Sequence, residues 1–174
     1  SAKQTATIRV YHDCAPGGAG TLGAGSINTS NLAEGAATAD KLSIVANSRP
    51  IIVPLGTVSA TTSQVAFVAP TAGSLNAAKI VTKNAVAAND TNYWTFTLTN
   101  LGNGGTGTDK IVEMTTEATD GTGLEAYVAL DLGTLNEAHK VLAAGDVVLF
   151  TATATESPTS LTEAALMLEF LPAE

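Results

Sequence analysis

The sequence predicts an all-β protein: an antiparallel, jelly-roll-like sandwich with an extended N-terminal arm. Charged residues make up only 14% of the chain, whereas Thr and Val, which suit pleated strands, are frequent. From Gly56 onward, segments of alternating apolar and polar residues follow one another, separated by Gly, Asn, Asp and Pro. Strands at a spacing of roughly ten residues, with turns between them, are typical of a sandwich or jelly roll.

Residues 1–55 are expected to form an N-terminal strand and a low-complexity arm. Residues 5–11 have the alternation of a strand, with Ile8 and Val10 on one face. After a glycine-rich stretch, Ile27, Leu32 and Leu42 are large apolar residues far apart in small-residue sequence. A single chain cannot bury such sparse anchors, so we expect the arm to contact sister subunits or a larger assembly. The expected interface residues are Ile8, Val10, Ile27, Leu32, Leu42, Ile51, Ile52 and Val53.

The apolar run at residues 51–55 is expected to be an edge strand, because Pro54 cannot donate a hydrogen bond to a ladder. The remaining residues, 56–174, are expected to form the sandwich domain. In its clearest strand, residues 93–99, Trp94, Phe96 and Leu98 share one face and three threonines the other. Leu135 to Leu142 is the one helical alternative. The strand candidates are residues 64–68, 78–82, 93–99, 110–116, 124–132, 147–155 and 166–171.

Two of the predicted strands are apolar on both faces. In one, Val148 and Phe150 alternate with Val147 and Leu149, and residues 166–171 repeat the pattern. A half-buried strand of a lone sandwich needs only one apolar face. The second faces therefore require cover from another sheet, another subunit or the arm, and oligomerisation is the simplest source.

Charge and hydropathy narrow the possible partners. The net charge is −8, with only eight Lys and Arg residues and no basic cluster. Such a surface repels nucleic-acid phosphates and anionic lipid, so neither is expected as a partner. No stretch has the roughly 20 apolar residues of a membrane span. The first residues lack the apolar segment of a signal peptide, so synthesis in a host cytoplasm is expected.

We expect no catalytic residue, cofactor or metal. His12 and Cys14 could share a strand face, as in an activated thiol, but the glycines after them offer no rigid frame. The oxygen-rich segments 89–92 and 120–123 fit turns better than a calcium site, since Asx side chains favour turns. Residues 102–107 lack the ending of a phosphate-binding loop and predict a hairpin tip. Trp94 is expected in the core rather than as a sugar-stacking platform.

Two parts of the chain resemble phage virion proteins. Residues 27–42, INTSNLAEGAATADKL, are similar to a repeat unit of trimeric tail fibres, in which three chains wind around one axis. The resemblance implies that Ile27, Leu32 and Leu42 face that axis. From Val65 to Pro172 the chain resembles the β-domains of head-decoration and fibre proteins, notably in FVAPTAGSL, NYWTF, LAAGDV and LEFLP.

The resemblance implies a non-enzymatic capsid decoration (cement) protein. Such a protein would be a homotrimer on the capsid surface of the virion, bound to the major capsid protein and reinforcing the phage head. Only one fibre-like unit is present, which favours a cement protein over a long fibre. The alternatives are a short head or tail fibre that contacts a host receptor, and a carbohydrate-binding module.

Overall fold

A computed structural model describes residues 48–173, which contain nine strands and no helix. The strands are β1 (Arg49–Val58), β2 (Thr62–Val68), β3 (Gly73–Val81), β4 (Tyr93–Asn100), β5 (Asp109–Thr115), β6 (Leu130–Asp131), β7 (Val141–Leu142), β8 (Val147–Thr155) and β9 (Leu161–Pro172). The prediction of an all-β protein is confirmed. The remaining expectations for the arm, including Ile8, Val10, Ile27, Leu32 and Leu42, lie outside the described residues.

The strands form two antiparallel sheets, which makes this part of the chain a β-sandwich. Sheet A has the order β1-β9-β3-β6, with the short β7 also pairing with β3. Sheet B has the order β2-β8-β4-β5. β1 and β2 lie in different sheets, and so do β8 and β9, so the chain crosses between the layers at both ends of the described part.

An aromatic core separates the two sheets. Trp94, Phe96 and Leu98 are fully buried, as their alternation predicted, and the intervening threonines of β4 face outward. The Phe96 ring lies 6.1 Å from that of Phe150 on β8. The Trp94 ring nitrogen donates a hydrogen bond to the carbonyl of Thr159, so burial leaves no polar atom of this side chain unpaired.

Sheet A contributes the aromatic ring of Phe170 on β9 to this core. Its ring centroid lies 4.9 Å from that of Phe67 on β2, in a tilted arrangement. Gly73 fits beside this contact, because a Cβ there would come within 2.5 Å of the Phe170 ring and 2.4 Å of the Leu171 carbonyl oxygen. A glycine at this position thus lets β3 approach the end of β9 closely.

The strand expected over residues 124–132 is mostly wrong, because only Leu130–Asp131 are in a strand. Tyr127 has a φ of 61°, and the amide of Val128 donates to the carbonyl of Glu125 in a turn. At Tyr127 this left-handed conformation interrupts the extended backbone. Leu124 is still buried, as the alternation expected.

Residues 135–142, the segment considered as a helix, form neither a helix nor a long strand. The segment begins with a turn in which the Asn136 side chain accepts from the amides of Ala138 and His139. This local bond offers the backbone an alternative to a helix. The segment then ends in β7.

The boundary expected between residues 55 and 56 lies inside β1. Pro54 pairs with Ala165 and Gly56 with Ala164, with a register shift between the two pairs. Gly56 has a φ of 69°, which glycine adopts without steric cost. β1 is an edge strand of sheet A, as Pro54 predicted.

Replacing Phe150 by Ala should lower the free energy of unfolding by about 3–5 kcal/mol, the usual cost of deleting a buried phenyl ring. Chemical denaturation followed by Trp94 fluorescence measures the change. The matched control is Val65→Ala on the exposed face of the neighbouring strand, which should stay within about 0.5 kcal/mol of the parent chain. Equal losses in the two variants would contradict the sandwich core described above.

Candidate binding surfaces

The outer face of sheet A carries an apolar groove beside the edge strand β1. Its volume is about 140 Å³, and its exposed lining is apolar. Antiparallel pairing of Ile52 with Met167 puts both side chains on this outer face. Ile52 is 63% exposed. We call this feature the sheet A groove; its main lining residues are Ile52, Lys79, Val81, Ala129, Ala165 and Met167.

The three described members of the expected interface set differ in burial. Ile52 points to the groove, whereas Val53 is 9% exposed and belongs to the core between the sheets. Ile51 is half-buried and packs against the same core. Successive residues of a strand face opposite sides, which explains why neighbours in one apolar run separate in this way. Of the three, Ile52 is the most exposed.

A second apolar surface lies on the outer face of sheet B, at its β2 edge. Val65 pairs with Leu149, and Val68 with Val147. Val65 and Val68 are 55% and 50% exposed, and their partners on β8 are half-buried. These four residues are called the β2 patch. They provide the second apolar face that the sequence predicted for residues 147–150.

The side-chain period does not predict that Val65 and Val68 share a face, because three positions separate them and strands have a period of two. A register shift between Val65 and Phe67 inserts an extra residue, Ala66, at which the β2 backbone is bulged. Phe67 then faces the core and Val68 faces outward. No residue type marks this bulge in the sequence, since neither glycine nor proline occurs within β2.

The rest of the outer face of sheet B is polar. Thr97 pairs across the sheet with Thr151 on one side and Glu113 on the other. The hydroxyls of Ser63 and Thr151 are 2.9 Å apart, and Thr97 donates to a Glu113 carboxylate oxygen at 3.3 Å. The row thus contains two hydrogen-bonded pairs of side chains, and the β2 patch is bordered by a hydroxyl-rich surface.

The two oxygen-rich turns considered for calcium meet at one end of the sandwich. The Asn89 side chain accepts from the amides of Thr91 and Asn92, as a turn-forming side chain does. Asp90 accepts from the amide and the hydroxyl of Thr119, in the connection that leads to Asp120. Within residues 48–173, no group of three or more His, Cys, Asp or Glu side chains could hold a metal ion.

The other features singled out in the sequence have structural roles here. Residues 102–107 form the connection between β4 and β5, and the Gly102 amide donates to the Asn100 side chain. Trp94 has no exposed surface, so it is not available for stacking on a sugar. His139 is half-buried, with Nδ1 at 2.9 Å from the Lys110 carbonyl oxygen. His12 and Cys14 lie outside the described residues.

Among the titratable groups of residues 48–173, Lys83 is the one whose pKa the surroundings clearly change. Its ammonium donates to Glu163 at 2.6 Å, and this hydrogen bond, together with the charge of Glu163, raises the pKa of Lys83 above its ordinary value. The pair is exposed, so water and salt screen it. Any stability it adds is present below the ordinary lysine pKa and is lost as pH rises through the raised pKa.

Comparisons of the chain with protein-family models, curated proteins and solved structures return no match. Residues 48–173 contain no helix with the length and apolar character needed to cross a membrane.

The different placement of Ile52 and Val53 predicts different costs of truncation. Val53→Ala should lower the free energy of unfolding by about 2 kcal/mol, since it removes two buried methyl groups and leaves a small cavity. Ile52→Ala, the matched control on the same strand, should change it by less than about 0.5 kcal/mol. Denaturant titration of both variants tests this. A larger loss of unfolding free energy for Ile52→Ala would mean that β1 buries the face that carries Ile52 and exposes Val53.

Proposed function

We propose that this protein is a structural virion protein: a capsid decoration, or cement, protein that binds the outside of a phage head and stabilises it. The observation that carries the proposal is that one folded sandwich has apolar surfaces on both of its outer faces, the sheet A groove and the β2 patch. A cement protein needs at least two such surfaces, one for the shell and one for sister copies.

Neither surface is needed to complete the core of the domain. The exposed parts of Ile52, Val65 and Val68 lie outside the buried cluster, which is filled by other side chains. Covering apolar surface gains roughly 25 cal/mol per Å². A partner that covers the groove or the patch would therefore gain free energy without any rearrangement of the core.

The order of the strands supports a jelly roll as the finer description of the fold. In a jelly roll, a long antiparallel ribbon of strand pairs wraps into two sheets. Here β1 pairs with β9, β2 with β8, β3 with β6 and β4 with β5, which is the pairing of such a ribbon. The pairs β9–β3 and β8–β4 are the contacts that wrapping would add. Jelly rolls are common among viral capsid domains.

Decoration of this kind acts through binding alone. A ligand that binds only the assembled shell stabilises it by mass action. Three linked copies, the stoichiometry that the sequence resemblance implies, would add the strength of several weak contacts to the major capsid protein. The net charge of −8 favours approach to basic areas of a shell, so association should be faster at low salt.

The proposal predicts that the pure protein binds undecorated heads of the phage that encodes it and raises the temperature at which they release DNA. Binding is measured by co-sedimentation, and DNA release by dye fluorescence during heating. Heads that neither bind the protein nor gain heat tolerance would contradict a cement role and would favour a fibre that contacts a host receptor.

A matched pair of variants connects this binding to the groove. Ile52→Lys places a charge in the apolar groove and should weaken binding to heads about tenfold or more, since 1.4 kcal/mol corresponds to a factor of ten. Thr153→Lys adds the same charge to the polar face of sheet B and should bind as the parent protein does. If both variants bind normally, the groove does not contact the shell.

A further inference from the structure

A long continuous stretch of the chain that begins in β1 carries no charge. No Asp, Glu, Lys or Arg occurs in residues 50–78, although the whole chain has 24 such residues, 16 of them acidic. This stretch includes almost all of β1, the whole of β2 and the first part of β3. Ile52, Val65 and Val68, three of the most exposed large apolar residues described, also lie in it.

The open edge of sheet A is protected against the addition of another strand. Pro50 and Pro54 are opposite Glu169 and Ala165 of β9. Ile52 lies between them, and all three alternate residues have the same orientation in the strand. Proline cannot donate to a ladder, so both prolines suit positions whose amides would point away from β9. Two of these three outward positions therefore lack a donor, and a new strand could not form a regular ladder with β1.

The β5 edge of sheet B is covered in part and carries charge. The Asn136 amide donates to the Ile111 carbonyl at 2.7 Å, and His139 contacts the carbonyl of Lys110. Lys110 and Glu113 form an ion pair on the same strand. At the other side of sheet A, β6 and β7 have only two residues each, too few for a stable ladder.

β2 has none of these protections. Its sequence, TSQVAFV, contains neither proline nor charge. Among the described residues, no backbone group of Thr62–Val68 hydrogen-bonds to anything except the neighbouring strand. The bulge at Ala66 bends one end, but Thr62–Val65 pair regularly with β8. An exposed, uncharged edge with two exposed valines is a ready site for strand addition.

We propose that the β2 edge pairs with the β2 edge of a second copy of this chain, antiparallel, so that sheet B continues from one subunit into the next. The charge distribution favours a second copy of this chain as the partner at this edge. Copies with a net charge of −8 repel each other, and the repulsion is weakest where the facing surfaces carry no charge. An antiparallel edge is complementary to itself, and full overlap would bring Val65 of the two copies opposite each other.

This contact goes beyond the proposed function. It has two-fold symmetry and cannot by itself close a ring of three subunits. On a shell it would instead link a subunit of one trimer to a subunit of the next, so that the decorating proteins reinforce one another as well as the capsid.

Crosslinking tests the pairing in the full chain. Cys14→Ser removes the one native thiol, and Val65→Cys is added to this variant. A short bismaleimide should then join two chains efficiently. Thr153→Cys, also exposed but on the central strand β8, is the matched control and should give little crosslinked product. Equal yields for the two cysteines would overturn the proposal.

A charge variant tests the same contact without a crosslinker. Val65→Lys places like charges opposite each other and should weaken the two-fold association at least tenfold, measured by light scattering during gel filtration across a dilution series. Thr153→Lys on the central strand β8 is the control and should associate along this edge as the parent protein does. Unchanged association of Val65→Lys overturns the proposal. If association is unchanged and the variant still binds heads, the proposed function stands and only the edge contact is overturned.

Discussion

The structure depends on burying the inner faces of two sheets against each other. Trp94, Phe96 and Phe150 form a row of rings on sheet B, and Phe170 of sheet A reaches the same layer through Phe67. Within the described residues, every buried side-chain nitrogen or oxygen has a hydrogen-bond partner. This packing orients each strand and so decides which side chains remain outside.

The outer faces follow from that orientation. Once Val148 and Phe150 face the core, Val147 and Leu149 have to face outward, where they meet Val65 and Val68. On the other side of the sandwich, burial of Leu166 and Leu168 leaves Met167 beside the exposed Ile52. The apolar surfaces are therefore direct consequences of strands that are apolar on both faces.

Much of the sandwich could be predicted from the sequence because alternation is a local property. The strand at residues 93–99 and the edge position of the Pro54 run followed from side-chain period and backbone donors alone. The strand expected at 124–132 failed because the left-handed conformation of Tyr127 has no sequence signal in a residue that is not glycine. The apolar alternation correctly indicated that Leu124 is buried. Its burial did not require the backbone between Leu124 and Leu130 to be extended.

The candidate surfaces were predictable only in part. The two-faced strands indicated that cover was needed, and Ile52 was among the expected interface residues. The groove around it, however, combines side chains from strands far apart in sequence, such as Val81 and Met167. The role of Val65 depended on a bulge. Such features arise from strand register, which is set by the whole sandwich rather than by neighbouring residues.

We propose that this sandwich exposes apolar surface because it binds other subunits. Sedimentation equilibrium of the intact protein over a wide concentration range tests this proposal. The expected result is a molar mass of several chains that falls towards that of one chain on dilution. A molar mass of a single chain at every concentration, up to the highest that stays in solution, would contradict it.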